Sequence, residues 1–349
     1  MKLLEFQSFL KKKKIDLALL FHPDSHIIYF SQMIPSHALL TITPTTADLY
    51  LSKLDVPPSV PGIKNKLLTK DWEKQISNSR FKIISINKGA LSVQYAEKLQ
   101  NIFPKAKFVD IGEEITYLRT IKTKQEQKYT QKACDITSQA FSALLQELPR
   151  RSLQTEQDIA LFLERHIKNK GAQLAFPTIV GTGVHSSVPH HVTSNTPLQK
   201  GFLQLDFGAR WQNYCADMSR VIYFGTPSKQ ELSLYHSLLQ VQEECIRQVK
   251  RQESYKKLDQ LARKQLGKNA KYFIHGLGHG VGIDIHETPV YTDAQIENGH
   301  IFTIEPGIYF PRKFGLRIED TLAFDGKVKV LTTATKELVS IPFIVRAKI

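Results

Sequence analysis

Four acidic residues on strand-like segments and three histidines in a glycine-rich stretch are the groups whose types and spacing could do chemistry. The segment Gly201-Phe-Leu-Gln-Leu-Asp-Phe-Gly-Ala-Arg-Trp-Gln-Asn-Tyr-Cys-Ala-Asp-Met-Ser-Arg220 reads as a hairpin. A turn at Trp211-Gln212 sets Asp206 directly opposite Asp217. Their Cβ atoms are then roughly 4.5–5.5 Å apart, where like charges destabilise unless a cation neutralises them. With the turn elsewhere, each carboxylate simply points into water. A second hairpin offers a similar pair. Glu305, in Thr303-Ile-Glu-Pro-Gly307, shares the face of Ile301 and Thr303, and Pro306 ends the strand or kinks it into a bulge. In Gly315-Leu-Arg-Ile-Glu-Asp-Thr321 the two-residue strand period places Arg317 and Glu319 on one face. An ionised Glu inside an apolar strand is costly to bury without a partner or a metal. Taken singly, either Glu reads as an edge-strand surface residue.

The stretch Phe273-Ile-His-Gly-Leu-Gly-His-Gly-Val-Gly-Ile-Asp-Ile-His286 has glycine at 276, 278, 280 and 282. That alternation disfavours a helix and permits close backbone approach. Neither phosphate-loop spacing, G-x-G-x-x-G or G-x-x-x-x-G-K-[ST], is present. His275 and His279 project the same way in an extended chain, and Val184-His-Ser-Ser-Val-Pro-His-His191 adds His185, His190 and His191. A lone histidine of this kind is more often structural; three beside four strand-borne acids point to ligation. Oxygen donors dominate the set, which suits a pair of divalent ions such as Mn²⁺, with Zn²⁺, Fe²⁺ and Co²⁺ as alternatives. Two ions roughly 3.5–4 Å apart, bridged by carboxylates and a water, would give a hydroxide nucleophile near neutral pH, which is hydrolase chemistry. No G-x-S-x-G elbow, H-E-x-x-H helix or cysteine signature competes with it.

The elements that must position these groups fall into two parts. Leu3, Leu4, Phe6, Phe9 and Leu10 mark a first helix, followed by the basic run Lys11–Lys14 and an apolar strand, Ile15 to Phe21. Strand-like runs at Ala38–Ile42, Asp48–Leu51 and Phe81–Ile86 alternate with polar stretches, which predicts an α/β module. From Gly112 to Gln157 the pattern is long-helical. Beyond it, β-like runs at 201–207, 214–224, 300–305 and 315–324 enclose a helical segment from about 228 to 265. The boundary is placed near residue 122, giving domains 1–122 and 123–349.

Composition narrows the function classes. Of 349 residues, 42% are hydrophobic and 23% charged, which excludes a disordered chain. The apolar run Leu17–Phe21 is far short of the roughly 20 residues that span a bilayer, and no signal peptide is read, so no membrane association is expected. Three scattered cysteines argue against a disulfide framework or a zinc ribbon and make a cytoplasmic location the default. The net charge of +14 divides evenly, +7 on each side of residue 122, and forms no patch; no nucleic-acid partner is expected.

The ordered set Asp206, Asp217, His279, Glu305 and Glu319, in the contexts L-D-F-G, A-D-M-S-R, H-G-L-G-H-G-V-G, T-I-E-P-G and R-I-E-D, resembles the "pita-bread" dinuclear metallopeptidases over about residues 123–349. Within that group it is most similar to the Xaa-Pro peptidases, aminopeptidase P and prolidase, on three features. These are the extra N-terminal α/β domain, the linker-like Leu118-Arg-Thr-Ile-Lys122 and the His275/His279/His286 spacing. Methionine aminopeptidases share the ligands but usually lack that domain.

The resemblance implies a creatinase-like α/β domain ahead of an α+β pita-bread catalytic domain, and two divalent ions, Mn²⁺ first. It implies that Asp206 chelates one metal, that His279 and Glu305 bind the other, and that Asp217 and Glu319 bridge them. It further implies that His190 contacts substrate near the scissile bond, that His286 stabilises the tetrahedral intermediate and that Glu305 shuttles the proton. His275 and Arg317 would line the proline pocket, with His191 near the substrate; Arg317 could equally hold a carboxylate in orientation. Phe202, Cys215-Ala216 and Ser219 depart from the usual pattern and bear on substrate fit and metal tuning. The leading expectation is a homodimeric exopeptidase of the aminopeptidase P type, cleaving peptides with proline in second position. The alternatives are a prolidase confined to Xaa-Pro dipeptides and a catalytically inactive binding protein.

Overall fold

The computed structural model describes residues 2–289 and 293–343, so the last six residues of the second expected domain lie outside the described chain. The chain divides into two compact units, Met1–Arg119 and Thr120–Ile349.

In the first unit, helix α1 (Lys2–Lys13) leads into strand β1 (Leu17–Phe21), as the periodicity predicts. Helix α2 (Ser25–Ser31) and strands β2 (Ala38–Ile42), β3 (Ala47–Leu51) and β4 (Lys64–Leu67) follow. The unit closes with α3 (Trp72–Ile76), β5 (Ile83–Ile86), α4 (Val93–Ile102), β6 (Lys107–Asp110) and α5 (Gly112–Thr120). Its six-stranded sheet runs β4-β3-β2-β1-β5-β6. Strand β1 is central and wholly buried, which explains its continuous apolar run. The edge strands β4 and β6 escape sequence reading because Lys64-Asn-Lys-Leu67 and Lys107-Phe-Val-Asp110 are exposed or half-buried and carry little apolar alternation.

The second unit begins with α6 (Lys124–Glu147), opened by a capping box between Thr123 and Glu126, and α7 (Glu156–Asn169), opened by a second between Thr155 and Asp158. Short strands β7 (Gln173–Leu174) and β8 (Ile179–Thr182) precede the first hairpin: β9 (Gly201–Phe207), β10 (Ala209–Trp211), β11 (Tyr214–Cys215) and β12 (Met218–Phe224). The helical segment expected at 228–265 is two helices, α8 (Lys229–Arg247) and α9 (Tyr255–Leu266), each started by a serine cap. The second hairpin comprises β13 (His300–Ile304), β14 (Gly307–Phe310), β15 (Phe314–Arg317) and β16 (Asp320–Phe324), followed by β17 (Val328–Val330) and β18 (Val339–Ile341).

The first hairpin turns one residue later than expected, at Gln212-Asn213, both with positive φ (49° and 69°). Tight hairpin turns need left-handed backbone, which Asn tolerates and a bulky Trp does not. Asp206 consequently faces Ser219, and Asp217 is its diagonal neighbour. A register change of two residues keeps both acids on the same face, whereas a change of one would separate them.

In the second hairpin Ile304 pairs with Asp320 and Gly307 with Arg317, so Glu305 and Glu319 stand opposite each other in the break at Pro306. The two hairpins are fastened side by side. Glu319 N donates to Ser219 O at 3.2 Å, and Thr321 Oγ1 donates to Asp217 O at 2.7 Å. The buried Arg220 donates to Glu319 O and, at 2.7 Å, to Asp320 Oδ1. Each hairpin sends side chains into two separate apolar cores, Ile222 with Ile301 into one and Val221 with Phe302 and Leu322 into the other.

Candidate metal centre

All four acids meet at the seam. Asp206 is the penultimate residue of β9, Asp217 precedes β12, and Glu305 and Glu319 occupy the break between the strand pairs. His279 reaches them from the glycine-rich stretch, which is irregular but runs along β13. Thr303 N donates to His279 O at 2.8 Å, Val281 N to Ile301 O at 3.0 Å and Glu305 N to Leu277 O at 2.7 Å. A Cβ at Gly278 would lie 2.2 Å from Thr303 O, so only glycine permits this approach. His279 Nε2 sits 3.2 Å from Glu305 Oε1 and 3.5 Å from Asp217 Oδ2, and its Nδ1 donates to Gly280 O at 3.1 Å. That second bond fixes the tautomer that turns Nε2 toward the carboxylates.

The charge balance here calls for cations. Asp206 Oδ1 and Glu319 Oε1 are buried without a hydrogen-bond partner among the described residues. Burial and the neighbouring acids push the Asp217 and Glu319 carboxyls well up. Burial also opposes ionisation of Glu305, but its contact with His279 and the nearby His275 and Arg317 hold it down at about 2. One ligand atom from each of Asp217, His279 and Glu319 lies within 4.8 Å of the others. Orphaned oxygens, an oxygen-rich donor set and an oriented imidazole fit divalent metal ions.

Arg317 makes direct contact with Asp206 rather than with Glu319. Its Nη2 donates to Asp206 Oδ2 at 2.5 Å, Nη1 to Tyr309 Oη at 2.8 Å and Nε to Ser219 Oγ at 2.7 Å. Ser219 Oγ in turn donates to Glu319 Oε2 at 2.8 Å. Tyr309 also meets His275 Nε2 at 3.0 Å, and burial pushes His275 down, favouring neutral imidazole. Sequence reading missed Tyr309. The available signal was two flanking glycines: a Cβ at Gly307 or at Gly315 would come within 2.6 Å of the tyrosine side chain.

The remaining histidines divide. The His286 ring stands edge-on to His279 at 4.3 Å between centroids. His190 is exposed and, with His275, His279 and His286, lines a cavity of about 480 Å³ that contains the carboxylates. A second cavity of about 640 Å³ also opens onto Asp206 and Asp217 and is walled by Phe176, Ile179 and Ile285. His191 lines this second cavity but turns its Nε2 to Glu156, at 3.0 Å.

Residues 128–325 match metallopeptidase family M24, and residues 2–121 match the creatinase/prolidase N-terminal domain. The chain is 32% identical over 345 residues to an Xaa-Pro dipeptidase of Pyrococcus furiosus, covering 95% of this chain and 97% of that protein. The crystal structure of the prolidase from Pyrococcus horikoshii superposes with a TM-score of 0.88 at 29% identity, over 97% of this chain and 99% of that one. An X-Pro aminopeptidase from Thermotoga maritima gives 0.85 at 28%, over 94% and 98%. With its creatinase-type N-terminal domain and pita-bread catalytic domain, this chain therefore belongs to metallopeptidase family M24 and is a metal-dependent hydrolase.

Proposed function

We propose that the protein is an Xaa-Pro dipeptidase of the prolidase type. The observation that carries this reading is the near full-length similarity to an Xaa-Pro dipeptidase, together with the half-buried His275 joined to buried Tyr309 and Arg317 beside the carboxylates. The aminopeptidase P reading expected from sequence is less well supported: of the relatives compared above, one solved structure is an X-Pro aminopeptidase, while the full-length sequence relative is a dipeptidase. A dedicated site is physically sensible, because proline's ring removes the amide N–H and fixes φ.

In this reading Asp206, Asp217, His279, Glu305 and Glu319 hold two divalent ions, Mn²⁺ being the choice that suits their oxygen-rich set. When bound, such ions polarise the scissile carbonyl and supply a water acidic enough to ionise near neutral pH. Glu305 moves the proton toward the proline nitrogen. Its Oε1 accepts from Thr303 Oγ1 at 3.1 Å, which keeps the carboxylate aimed at the centre. His190 orients the peptide near the scissile bond, and His286 donates to the oxygen that gains charge in the transition state. His275 borders the proline ring. Arg317 has its donors engaged by Asp206, Tyr309 and Ser219, which favours a role in holding these groups over direct substrate contact. The domain boundary near residue 122, a homodimer and a cytoplasmic location belong to the same reading; among the described residues no helix is long and apolar enough to cross a membrane.

The test is product release by Mn²⁺-loaded protein from an Xaa-Pro dipeptide and a matched Xaa-Pro pentapeptide, with an EDTA control. Cleavage of the dipeptide alone is expected. Cleavage of the pentapeptide would establish the aminopeptidase P activity, and silence on both despite bound metal would return the inactive binding protein.

A further inference from the structure

Glu156, His185 and His191 form a second cluster of metal-ligand side chains, built on different elements from the four-carboxylate centre. Glu156 is the first residue of α7 and is fully buried. Its Oε1 accepts from Thr182 N at 2.9 Å and contacts His185 Nδ1 at 2.8 Å. Its Oε2 contacts His191 Nε2 at 3.0 Å and accepts from Ser194 Oγ, also at 3.0 Å. Burial opposes ionisation, but these donors outweigh it and hold the carboxyl below its ordinary value. Glu156 is therefore a dry carboxylate that keeps its charge.

The ion-pair partners of Glu156 among the described residues are the two imidazoles. Neutral imidazoles satisfy its hydrogen bonds but supply no positive charge, and buried charges are ordinarily paired or metal-bound. The two rings stack 4.2 Å apart with an interplanar angle of 29°, so their ligand nitrogens come to the same carboxylate together. One ligand atom from each of the three residues lies within 4.8 Å of the others. Two imidazoles and one carboxylate are a donor set for borderline ions such as Zn²⁺, unlike the oxygen-rich set at the seam. The His185 side chain is 32% exposed, which leaves a route from solvent.

We propose that Glu156, His185 and His191 form a separate site for a zinc-type divalent cation. Bonds of about 2.0–2.1 Å in a tetrahedral site put neighbouring ligand atoms roughly 3.3 Å apart, close to the carboxylate–imidazole contacts of 2.8 and 3.0 Å. Water completes the fourth position. His191 follows His190 directly, and both line the 640 Å³ cavity with Asp206 and Asp217. An ion on His185 and His191 thereby ties down the loop that presents His190, and its occupancy sets the position of that residue.

The test uses crystals of Mn²⁺-loaded wild-type protein equilibrated with micromolar ZnCl₂, with anomalous data collected on both sides of the zinc edge. A zinc-specific peak bounded by Glu156, His185 and His191 is expected. In solution, zinc-saturated wild type should hold three metal ions per chain by elemental analysis. His185→Asn keeps an amide donor for Glu156 and should hold two, with zinc affinity at the third site lowered by more than the roughly 10–100-fold that loss of a ligand's outer hydrogen-bond partner costs. Zinc confined to the carboxylate centre, or equal stoichiometry in both proteins, would overturn the proposal and leave Glu156 with its protein hydrogen bonds alone. Neither measurement reads peptide cleavage, so both are independent of the substrate assignment.

Discussion

Tyr309→Phe isolates the group that links the carboxylate centre to His275. The substitution removes one oxygen and keeps the ring, so the space secured by Gly307 and Gly315 stays filled and no cavity opens. Two contacts disappear: the 2.8 Å bond from Arg317 Nη1 and the 3.0 Å contact with His275 Nε2. Both Tyr309 and Arg317 are buried, so water cannot replace the lost acceptor. A hydrogen bond to a charged group contributes roughly 1.5–3 kcal/mol and a neutral one about 1, which puts the expected destabilisation at roughly 2–4 kcal/mol. Urea denaturation of metal-free protein reads that loss directly. Arg317 Nη2 still holds Asp206, so kcat should change little. His275 loses its anchor, so KM for an Xaa-Pro dipeptide should rise about tenfold, equivalent to about 1.4 kcal/mol of lost positioning. A stability change below about 0.5 kcal/mol with an unaltered KM would refute the linkage, since surface-like changes fall in that range.

Asp217→Ala should abolish turnover and lower metal occupancy measured by elemental analysis; full activity would remove Asp217 from the ligand set. Mn²⁺ at 100 times its dissociation constant should stabilise the wild type by about 2.7 kcal/mol, and Glu319→Ala should lose most of that metal-dependent rise in melting temperature. His300 Nδ1 faces Tyr255 Oη at 2.9 Å and the Glu297 N–H at 3.3 Å, and burial with the nearby Lys122 pushes it down to about 4. A histidine whose folded pKa is depressed stabilises the neutral state, so its contribution is complete above pH 6.5 and is lost as pH falls from 6.5 toward 4. The total is about 3 kcal/mol. Denaturation at stepped pH should show that loss in wild type and its absence in His300→Asn.

The residues of the centre were legible because burying an acid in a strand is expensive, and four such acids in two hairpins leave few inexpensive arrangements. The pairing geometry was less legible. Sequence alternation fixes which face a residue occupies, but the turn fixes which residue lies opposite it, and the Gln212-Asn213 turn carries no glycine to mark it. The face assignment survived because the register moved by an even number. Edge strands β4 and β6 were invisible because an exposed strand needs no apolar pattern. Tyr309 was invisible for a different reason: its partners lie on separate segments, and only the fold brings His275 and Arg317 to one hydroxyl.

Both clusters of the second unit bury carboxylates. At the seam, Asp206, Asp217, Glu305 and Glu319 face the fixed cation Arg317, which hydrogen-bonds to Asp206 and lies 4.0 Å from Glu305. The remaining carboxylates shift in opposite directions, Asp217 and Glu319 upward and Glu305 downward, because the site divides too little positive charge among them. Family membership explains that deficit by divalent metal. Glu156 presents the deficit in its simplest form: one buried carboxylate, two imidazoles and no lysine or arginine paired with it among the described residues. The two clusters differ in their hydrogen bonding: protein donors occupy both Glu156 oxygens, whereas Asp206 Oδ1 and Glu319 Oε1 have no partner among the described residues, so the case for cations at the seam stands independently of Glu156.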